Sequence, residues 1–434
     1  MSTPVKGVSM LKAFATTDCI GAPELTYPNL DSVAGDARQR EYALLREAWS
    51  APDDSLEEEK FARYAAIGYL VLTSQRLGNV DQGNQQLLSD RFTQNSIGIY
   101  GAPEPKEVKK LLVEQHAGFS RYADRPAIDQ ARLHAVTDVF QGSLGASMES
   151  VEAQHDAELQ NLAQQVAVIL DARYGEALHI FDPIEQSGVK PTISEVKNVF
   201  EAGLVALQPT NNAWKNWGVE ITDGQGMSTS TSSQKIKIGK RGDYQASRLK
   251  ALFAHEALTH ALRYIHGQET GDRLMGVGLP GNLDAEEGIG IFMEYAVSGL
   301  LPNRVVDRYI DVALALGQTQ LPAMNRAQLH DLHTNRLIVR SQAADKPTDP
   351  VAIGSFAWNH IDRIYRGSLG NSVIGVNTKD IAYHQGFLKI GRYLKQEILQ
   401  NGHSAESIFE YIMSGCFDPS DSRHRAHVAS VSGK

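Results

Sequence analysis

The sequence has little cysteine and no long apolar run, and both absences narrow what the chain can be. Of its 434 residues only two are cysteines, Cys19 and Cys416, which lie near opposite ends and form no C-x-x-C pair. This pattern indicates neither a disulfide framework nor a cysteine-ligated zinc site. No stretch reaches transmembrane length, and the first residues lack the apolar core of a signal peptide. We therefore expect a cytoplasmic protein.

An excess of basic residues is also missing. The formal net charge is −9, from 42 basic and 51 acidic residues. This balance argues against nucleic acid or an anionic membrane as the main partner. With 42% hydrophobic residues, the chain is long enough to bury a substantial core in one large domain or two.

Helical periodicity dominates the apolar pattern, which predicts a mainly helical α+β protein. We predict an irregular arm over 1–36, a helical region over 37–190, a third region over 191–420 and a flexible tail over 421–434. Within the third region, short alternating strands are predicted at 217–222 and 234–238. The run that starts at Thr192 predicts a capped helix. Later helices are predicted at 283–299, 303–317, 322–341, 350–366, 379–400 and 404–414.

Residues able to do chemistry cluster in one apolar, helical run, where His255 and His260 flank Glu256 in an H-E-x-x-x-H string. Residues at i and i+5 lie about 140° apart on an ideal α-helix, too far for both imidazoles to share one metal ion. In the commoner H-E-x-x-H string the separation is about 40°. One π-type bulge would turn the second ring back. We therefore predict a helix defect near Ala257 to Thr259.

A metal site built on this string gives each residue a role. His255 and His260 would be neutral imidazole ligands, and Glu287, which follows at the start of a second helix, would be the third. Glu256 would be the general base that takes a proton from the attacking water. Two imidazoles and one carboxylate favour a single zinc ion per chain. The alternative, a metal-free helix, would have to satisfy these buried polar groups at a high cost.

Three sequence elements stand out together: H-E-A-L-T-H-A-L-R (His255–Arg263), G-L-P-G (Gly278–Gly281) and A-E-E-G-I-G (Ala285–Gly290). They resemble the tyrosine carboxypeptidase family, which includes the microtubule-associated tyrosine carboxypeptidases and bacterial proteins named for a Q-E-G-L-A motif. Weaker flanking elements are Ile99–Pro103, Arg363–Gly367 and Thr378–Tyr383. The similarity extends from about residue 90 to about residue 400.

The resemblance implies a zinc-dependent carboxypeptidase with a zincin-like core, in which a small sheet precedes the H-E-x-x-x-H helix. Residues 191–420 would then be the catalytic region. It also implies His255, His260 and Glu287 as zinc ligands and Glu256 as the base. It favours Glu287 over Glu286, because Glu287 directly precedes the glycine of the family motif.

The expected substrate is the C-terminus of a peptide or protein, and the family suggests tyrosine or another aromatic residue there. Recognition of a terminal carboxylate calls for Arg or Lys as a charged donor. The downstream family elements imply four candidate substrate-binding residues: Arg363, Arg366, Lys379 and Tyr383. The alternative is a solvated helix face, because Lys379 and Tyr383 lie at i and i+4 like many surface pairs. His330 and His333, at i and i+3, could form a second metal pair, but no third ligand stands out near them.

Two positions depart from the family pattern and bear on the substrate. Gly290 stands where the motif has alanine, which would loosen the second helix slightly. The run 228–233 is rich in serine and threonine where a more apolar strand is expected. The neighbouring strand at Lys235–Ile238 is predicted to be an edge strand, which could pair with an extended peptide or be protected by its lysines.

Two other functions stay open. A zinc endopeptidase or aminopeptidase would use the same site and differ in how the substrate is anchored. A non-catalytic regulatory or binding protein would keep the zinc for structure alone. An intact Glu256 argues against the second alternative, because nothing structural requires a base there.

Overall fold

The structure is a computed structural model, which describes residues 82–145, 157–365 and 375–432. The predicted arm over 1–36 therefore lies outside the described residues. The chain divides into two compact units, each assembled from separate stretches. Within the described ranges, the helical unit comprises 82–145, 303–365 and 375–381, and the mixed unit comprises 157–302 and 382–432. The domain boundaries proposed from the sequence stay predictions.

Helices dominate the described part of the chain, and one small sheet interrupts them. Before the sheet lie α1 (Gln82–Tyr100), α2 (Pro105–Ser120), α3 (Gln130–Leu144), α4 (Ala157–His179), α5 (Asp182–Ser187) and α6 (Ile193–Leu207). The sheet consists of β1 (Gly218–Thr222), β2 (Met227–Ser230) and β3 (Lys235–Gly239). After it come α7 (Leu249–His255), α8 (Leu262–Glu269), α9 (Arg273–Val277), α10 (Leu283–Ser298), α11 (Asn303–Ala315), α12 (Arg326–Ala343), α13 (Pro350–Ile364), α14 (Ala382–Leu394), α15 (Ala405–Ile412) and α16 (Ser422–Ser432). The predicted α+β class is confirmed.

The start of α6 shows how a local signal fixes an element. Thr192 Oγ1 accepts a hydrogen bond from the backbone N–H of Glu195 at 3.3 Å, and Glu195 Oε2 accepts one from the N–H of Thr192 at 2.7 Å. This capping box satisfies donors that the first turn leaves without helical partners, and such a cap contributes about 1 kcal/mol. The helix start predicted from the sequence is confirmed.

The sheet has the strand order β1-β3-β2, with β3 parallel to β1 and antiparallel to β2. Ile236 and Ile238 of β3 are fully buried, whereas the intervening lysines are partly exposed. The prediction that Lys235–Ile238 is an edge strand is wrong, because β3 is the central strand of the three. The serine- and threonine-rich run 228–233, where a more apolar strand was expected, contributes residues 228–230 to β2, since serine and threonine are tolerated at a half-exposed sheet edge.

The helix with the H-E-x-x-x-H string is held in the core of the mixed unit by aromatic packing. Phe253 of α7 contacts Phe181 and Phe200, with ring centroids 5.0 and 5.4 Å apart. On α6, Gly203 makes room for this ring, because a Cβ there would come within 2.8 Å of Phe253. Substituting Phe253 by a small residue would leave a cavity beside the helix.

Helices α10 and α14 cross at two glycines. A Cβ on Gly288 would lie 2.2 Å from the carbonyl carbon of Gly386, and a Cβ on Gly386 would lie 1.8 Å from the carbonyl oxygen of Asp284. The two backbones can approach this closely only because neither position carries a side chain. The crossing holds the start of α10, and with it Glu287, in place.

The segment 421–434, for which a flexible tail was predicted, is helical over Ser422–Ser432. His424 is buried there, and its Nδ1 accepts a hydrogen bond from the N–H of Asp418 at 2.9 Å. Val428 packs in a cluster with Leu274 and Phe417. Among the described helices, none is both long and apolar enough to cross a membrane.

Candidate metal centre

The helix that carries the H-E-x-x-x-H string contains a π-helical segment over Glu256–Ala261, between α7 and α8. The N–H of Leu262 donates to the carbonyl of Ala257, five residues back. Thr259 Oγ1 donates to the carbonyl of Ala254 at 3.0 Å, which satisfies a backbone acceptor inside the segment. The predicted defect near Ala257 to Thr259 is confirmed, and the extra residue per turn brings the two histidines to one face.

The two imidazoles and Glu287 converge. The His255 and His260 ring centroids lie 4.8 Å apart with the planes at 72°. Glu287 Oε2 lies 3.6 Å from His255 Nε2 and 3.8 Å from His260 Nε2. Tetrahedral zinc with bonds of about 2.0–2.1 Å requires ligand atoms about 3.3 Å apart. These three residues, called the metal-ligand cluster below, are therefore spaced to hold a metal ion after small side-chain movements.

A carboxylate lies behind each imidazole. Glu294 Oε1 is 2.8 Å from His255 Nδ1, and Glu286 Oε1 is 2.8 Å from His260 Nδ1. At His260 the hydrogen bond to Glu286 keeps the proton on Nδ1 and leaves the Nε2 lone pair for a metal. At His255 the contact with Glu294 is an ion pair whose hydrogen-bond geometry is not aligned. Glu286 thus lies on the Nδ1 side of His260, whereas Glu287 faces both Nε2 atoms.

Two arginines anchor these carboxylates. Arg263, which is fully buried, makes an ion pair with Glu286 and donates to the carbonyls of Ile412 at 2.9 Å and Phe417 at 2.7 Å. Arg248 Nη2 lies 3.2 Å from Glu294 Oε2. The orientation of each imidazole is therefore coupled to the surrounding core.

The electrostatic field at the metal-ligand cluster favours a cation. Burial lowers the pKa of His255, but the carboxylates of Glu287 and Glu294 outweigh burial and raise that pKa to about 10. Burial also lowers the pKa of His260, but the hydrogen bond to Glu286 outweighs burial, so the pKa of His260 is raised as well. In the metal-free protein a proton on the imidazoles supplies the positive charge that these carboxylates favour. A divalent metal ion would displace that proton.

Gly290 gives the His255 ring its space. A Cβ on this residue would lie 2.7 to 2.8 Å from three atoms of the ring. Contacts this short do not occur between real side chains, so any other residue would push the imidazole away from its place. From the sequence, Gly290 was expected only to loosen α10. The structure shows that the packing of His255, a candidate ligand, requires glycine at this position.

Glu256 projects from the π segment toward β2. It is 6% exposed, and Thr229 Oγ1 lies 2.8 Å from its main-chain oxygen and 2.7 Å from its Oε2. Sequence reasoning missed Thr229, because it belongs to the polar run that was treated as a departure from the family pattern. No spacing along the chain relates residues 229 and 256, since their contact depends on how the sheet pairs.

The predicted substrate-binding residues are dispersed. Tyr383 is the second residue of α14 in the mixed unit, Arg363 and Lys379 belong to the helical unit, and Arg366 lies outside the described residues. Arg363 donates two hydrogen bonds to Asp380, at 2.7 and 2.8 Å. Burial raises the pKa of Asp380, but Arg308 and Arg363 hold it far below its usual range. This pair gives Arg363 a structural partner, and the proposed substrate roles stay predictions.

The helical unit contains a second cluster of two histidines and a carboxylate. Asp311 Oδ2 lies 3.0 Å from His360 Nε2 and 3.3 Å from His333 Nδ1, and the two rings stack at 3.8 Å. Arg336 makes an ion pair with Asp311, and its Nη2 lies 3.0 Å from His333 Nδ1. His330, the other histidine considered from the sequence, instead contacts the carbonyl of Gly354 at 2.9 Å.

Hydrogen bonding accounts for this second cluster without a metal. A guanidinium only donates, so His333 Nδ1 accepts from Arg336 and carries no proton. His360 Nε2 then donates to Asp311, which leaves no lone pair on that nitrogen for a metal. Burial lowers the pKa of His333 to about 4 and also lowers that of His360, so both rings are neutral near pH 7. We therefore read Asp311, His333, His360 and Arg336 as a buried polar network, named the arginine network below.

Residues 149–318 match the family model described as microtubule-associated tyrosine carboxypeptidase, which confirms the family resemblance. The matched segment contains His255, Glu256, His260 and Glu287. No curated protein sequence matches. A crystal structure described as a lipoprotein from Colwellia psychrerythraea is 13% identical to this chain with a TM-score of 0.38, and the match covers 93% of this chain and 69% of that chain.

Proposed function

We propose, from the tyrosine carboxypeptidase match and the metal-ligand cluster inside it, that the protein is a zinc-dependent carboxypeptidase. It would remove the last residue of a peptide or protein. The family suggests that this residue is tyrosine or another aromatic residue. The observation that carries this proposal is the convergence of His255, His260 and Glu287, of which one ligand atom each lies within 4.8 Å of the others. Glu287 Oε2 is 3.6 Å from His255 Nε2 and 3.8 Å from His260 Nε2. Glu286, held at His260 Nδ1 and Arg263, is not required as a ligand.

The donor set fits zinc. Two neutral imidazoles and one carboxylate leave one position for water or substrate, as in known zinc peptidases. Zinc held by these residues would supply a Lewis acid that polarises the scissile carbonyl and makes water more acidic. Glu294 and Glu286 would keep both rings in the tautomer that presents Nε2.

Glu256 is the residue proposed as general base. It directly follows one candidate ligand, and its Oε2 lies 2.7 Å from Thr229 Oγ1 of β2. It would take a proton from the attacking water and return it to the departing amine. Strand β2 lies beside Glu256 and, within the described residues, pairs with β3 on one side. Among those residues, its other side is an edge to which an extended peptide could bind.

The residues that the family elements imply would also bind the terminal carboxylate of the substrate. Tyr383 lies in the mixed unit, and Arg363, Arg366 and Lys379 would supply positive charge. A protein or peptide C-terminus is accordingly the proposed partner.

The test is hydrolysis of a synthetic peptide that ends in tyrosine, followed by mass spectrometry of the zinc-loaded protein's products. We expect loss of the C-terminal residue alone. Glu256→Gln should keep zinc and lower kcat by about 10²- to 10⁴-fold, the usual contribution of a general base. Glu269→Gln, at an exposed position of α8, is the matched control and should leave kcat unchanged.

Each other outcome assigns a different function. Shortening from the N-terminus would indicate an aminopeptidase, and internal cleavage an endopeptidase. A protein that binds zinc and cleaves no peptide would indicate a binding or regulatory role. Full turnover in Glu256→Gln would remove that residue as the base.

A further inference from the structure

Strand β2 carries a hydroxyl that reaches the proposed base. Thr229 Oγ1 lies within hydrogen-bonding distance of two oxygens of Glu256, at 2.8 Å from the main chain and 2.7 Å from Oε2. A hydroxyl has one proton, so it donates to one of these oxygens at a time. Either bond ties the π segment to the strand, and the second also fixes the carboxylate.

Burial makes this donor important. Glu256 is 6% exposed, so its carboxylate has given up most of its hydration. A charged group in such a place needs hydrogen bonds from the protein to replace those of water. Thr229 supplies one at Oε2, and Oε1 can accept a proton or a hydrogen bond from another group.

The neighbouring hydroxyls of β2 do not share this position. Side chains alternate along a strand, so Ser228 and Ser230 point to the opposite face. Ser228 is exposed, and Ser230 accepts a hydrogen bond from Ser233 at 2.7 Å. Among the described residues of this strand, Thr229 is therefore the hydroxyl that contacts Glu256.

We propose that Thr229 is a positioning residue for the proposed reaction: it holds Glu256 through Oε2 so that Oε1 receives the proton of the attacking water. This inference rests on the proposed function. Valine has the shape and the strand preference of threonine but no donor. Removing the hydroxyl should therefore misplace the base while the metal-ligand cluster stays intact.

Kinetics with a peptide that ends in tyrosine compare three variants. Thr229→Val should lower kcat by about 10- to 100-fold with KM nearly unchanged, the pattern expected when an interaction that acts in the transition state is lost. Thr229→Ser keeps the hydroxyl and should recover most of the rate. Thr222→Val, the same change on strand β1 at the other side of the sheet, is the matched control and should behave as the wild type.

Three further measurements do not depend on activity. Zinc content and the visible spectrum of the cobalt-substituted protein should be the same in Thr229→Val as in wild type. In crystal structures of the two zinc-loaded proteins, the Glu256 carboxylate should keep its place in wild type and leave it in the variant. If valine prevents folding, Thr229→Ala gives the same comparison with a smaller side chain.

Three results would overturn the inference: wild-type kcat in Thr229→Val, loss of zinc from that variant, or an unmoved Glu256 carboxylate. Failure of the proposed function looks different, because zinc-loaded wild-type protein would then cleave no peptide. In that case the crystal structures still decide whether Thr229 positions Glu256.

Discussion

The metal-ligand cluster and the arginine network each place two histidines and a carboxylate together, with one candidate ligand atom of each within 4.8 Å. They differ in where the positive charge comes from. In the arginine network, Arg336 contacts both the carboxylate and an imidazole. At the metal-ligand cluster the buried arginine, Arg263, binds Glu286 behind His260. In the arginine network the guanidinium of Arg336 neutralises the carboxylate. At the metal-ligand cluster a bound proton or metal ion would supply the positive charge beside Glu287.

The presence of two histidines and one carboxylate close together is therefore not enough to define a metal site. What matters is which nitrogen of each histidine faces the carboxylate and whether its lone pair is already used. At His255 and His260 the Nδ1 side is occupied and Nε2 converges on Glu287. At His333 and His360 the nitrogens nearest Asp311 are engaged in the network.

The largest expected effect is on stability in the arginine network. Asp311→Ala would leave Arg336 buried without this partner, and breaking a buried ion pair costs about 3–5 kcal/mol. Glu287→Ala in metal-free protein should cost less, because His255 and His260 each keep another carboxylate. Urea unfolding with a chelator present measures both. A greater loss in Glu287→Ala would reverse the roles given to the two clusters.

A second substitution tests how closely His255 is packed. Gly290→Ala should displace the ring and weaken zinc affinity by about 10- to 100-fold, as perturbed ligand orientation does at other sites. The matched control is Gly118→Ala in α2, where a Cβ would meet nothing within 4 Å. That change should leave zinc binding alone and stabilise by about 0.4–1 kcal/mol. Competition with a zinc chelator gives the affinities, and equal affinity in both variants would contradict the packing argument.

The pH response should have opposite signs in the two clusters. In metal-free protein, His255 should hold its proton up to about pH 10, because Glu287 and Glu294 outweigh burial, whereas burial should keep His333 neutral down to about pH 4. NMR titration of the histidine rings measures both. A common midpoint near 6.5 for the two residues would contradict the comparison.

Stability should follow these pKa directions. The folded pKa of His333 lies below the unfolded value, so unfolded chains take up protons first as pH falls from about 6.5 to about 4, and stability is lost in that window. The raised pKa of His255 acts in reverse: its contribution is complete below about 6.5 and is lost as pH rises toward about 10. Urea unfolding across this range checks the signs.

Much of the candidate centre could be predicted because it depends on local spacing. The i, i+5 separation of His255 and His260 required a π segment, and the structure contains one. The carboxylate behind His255 was also within reach of such reasoning, because Glu294 follows Glu287 by seven residues and shares its helix face. Gly290, between them on that face, could have been read in the same way.

The rest depended on pairing between distant segments. Thr229 reaches Glu256 only because β2 pairs with β3, a pairing that the polar composition of the run obscured. The arginine network joins α11, α12 and α13, and no spacing along one helix relates Asp311 to His333 and His360. Tertiary contacts of this kind leave no periodic signal in a single sequence.

The most direct test of the metal assignment is zinc content by elemental mass spectrometry in three purified proteins: wild type, His260→Ala and His360→Gln. We predict one zinc per chain in wild type and in His360→Gln, and almost none in His260→Ala. An absence of metal from wild type even after zinc is supplied would contradict the assignment. Two zinc ions per wild-type chain, falling to one in His360→Gln, would contradict the distinction between the two clusters.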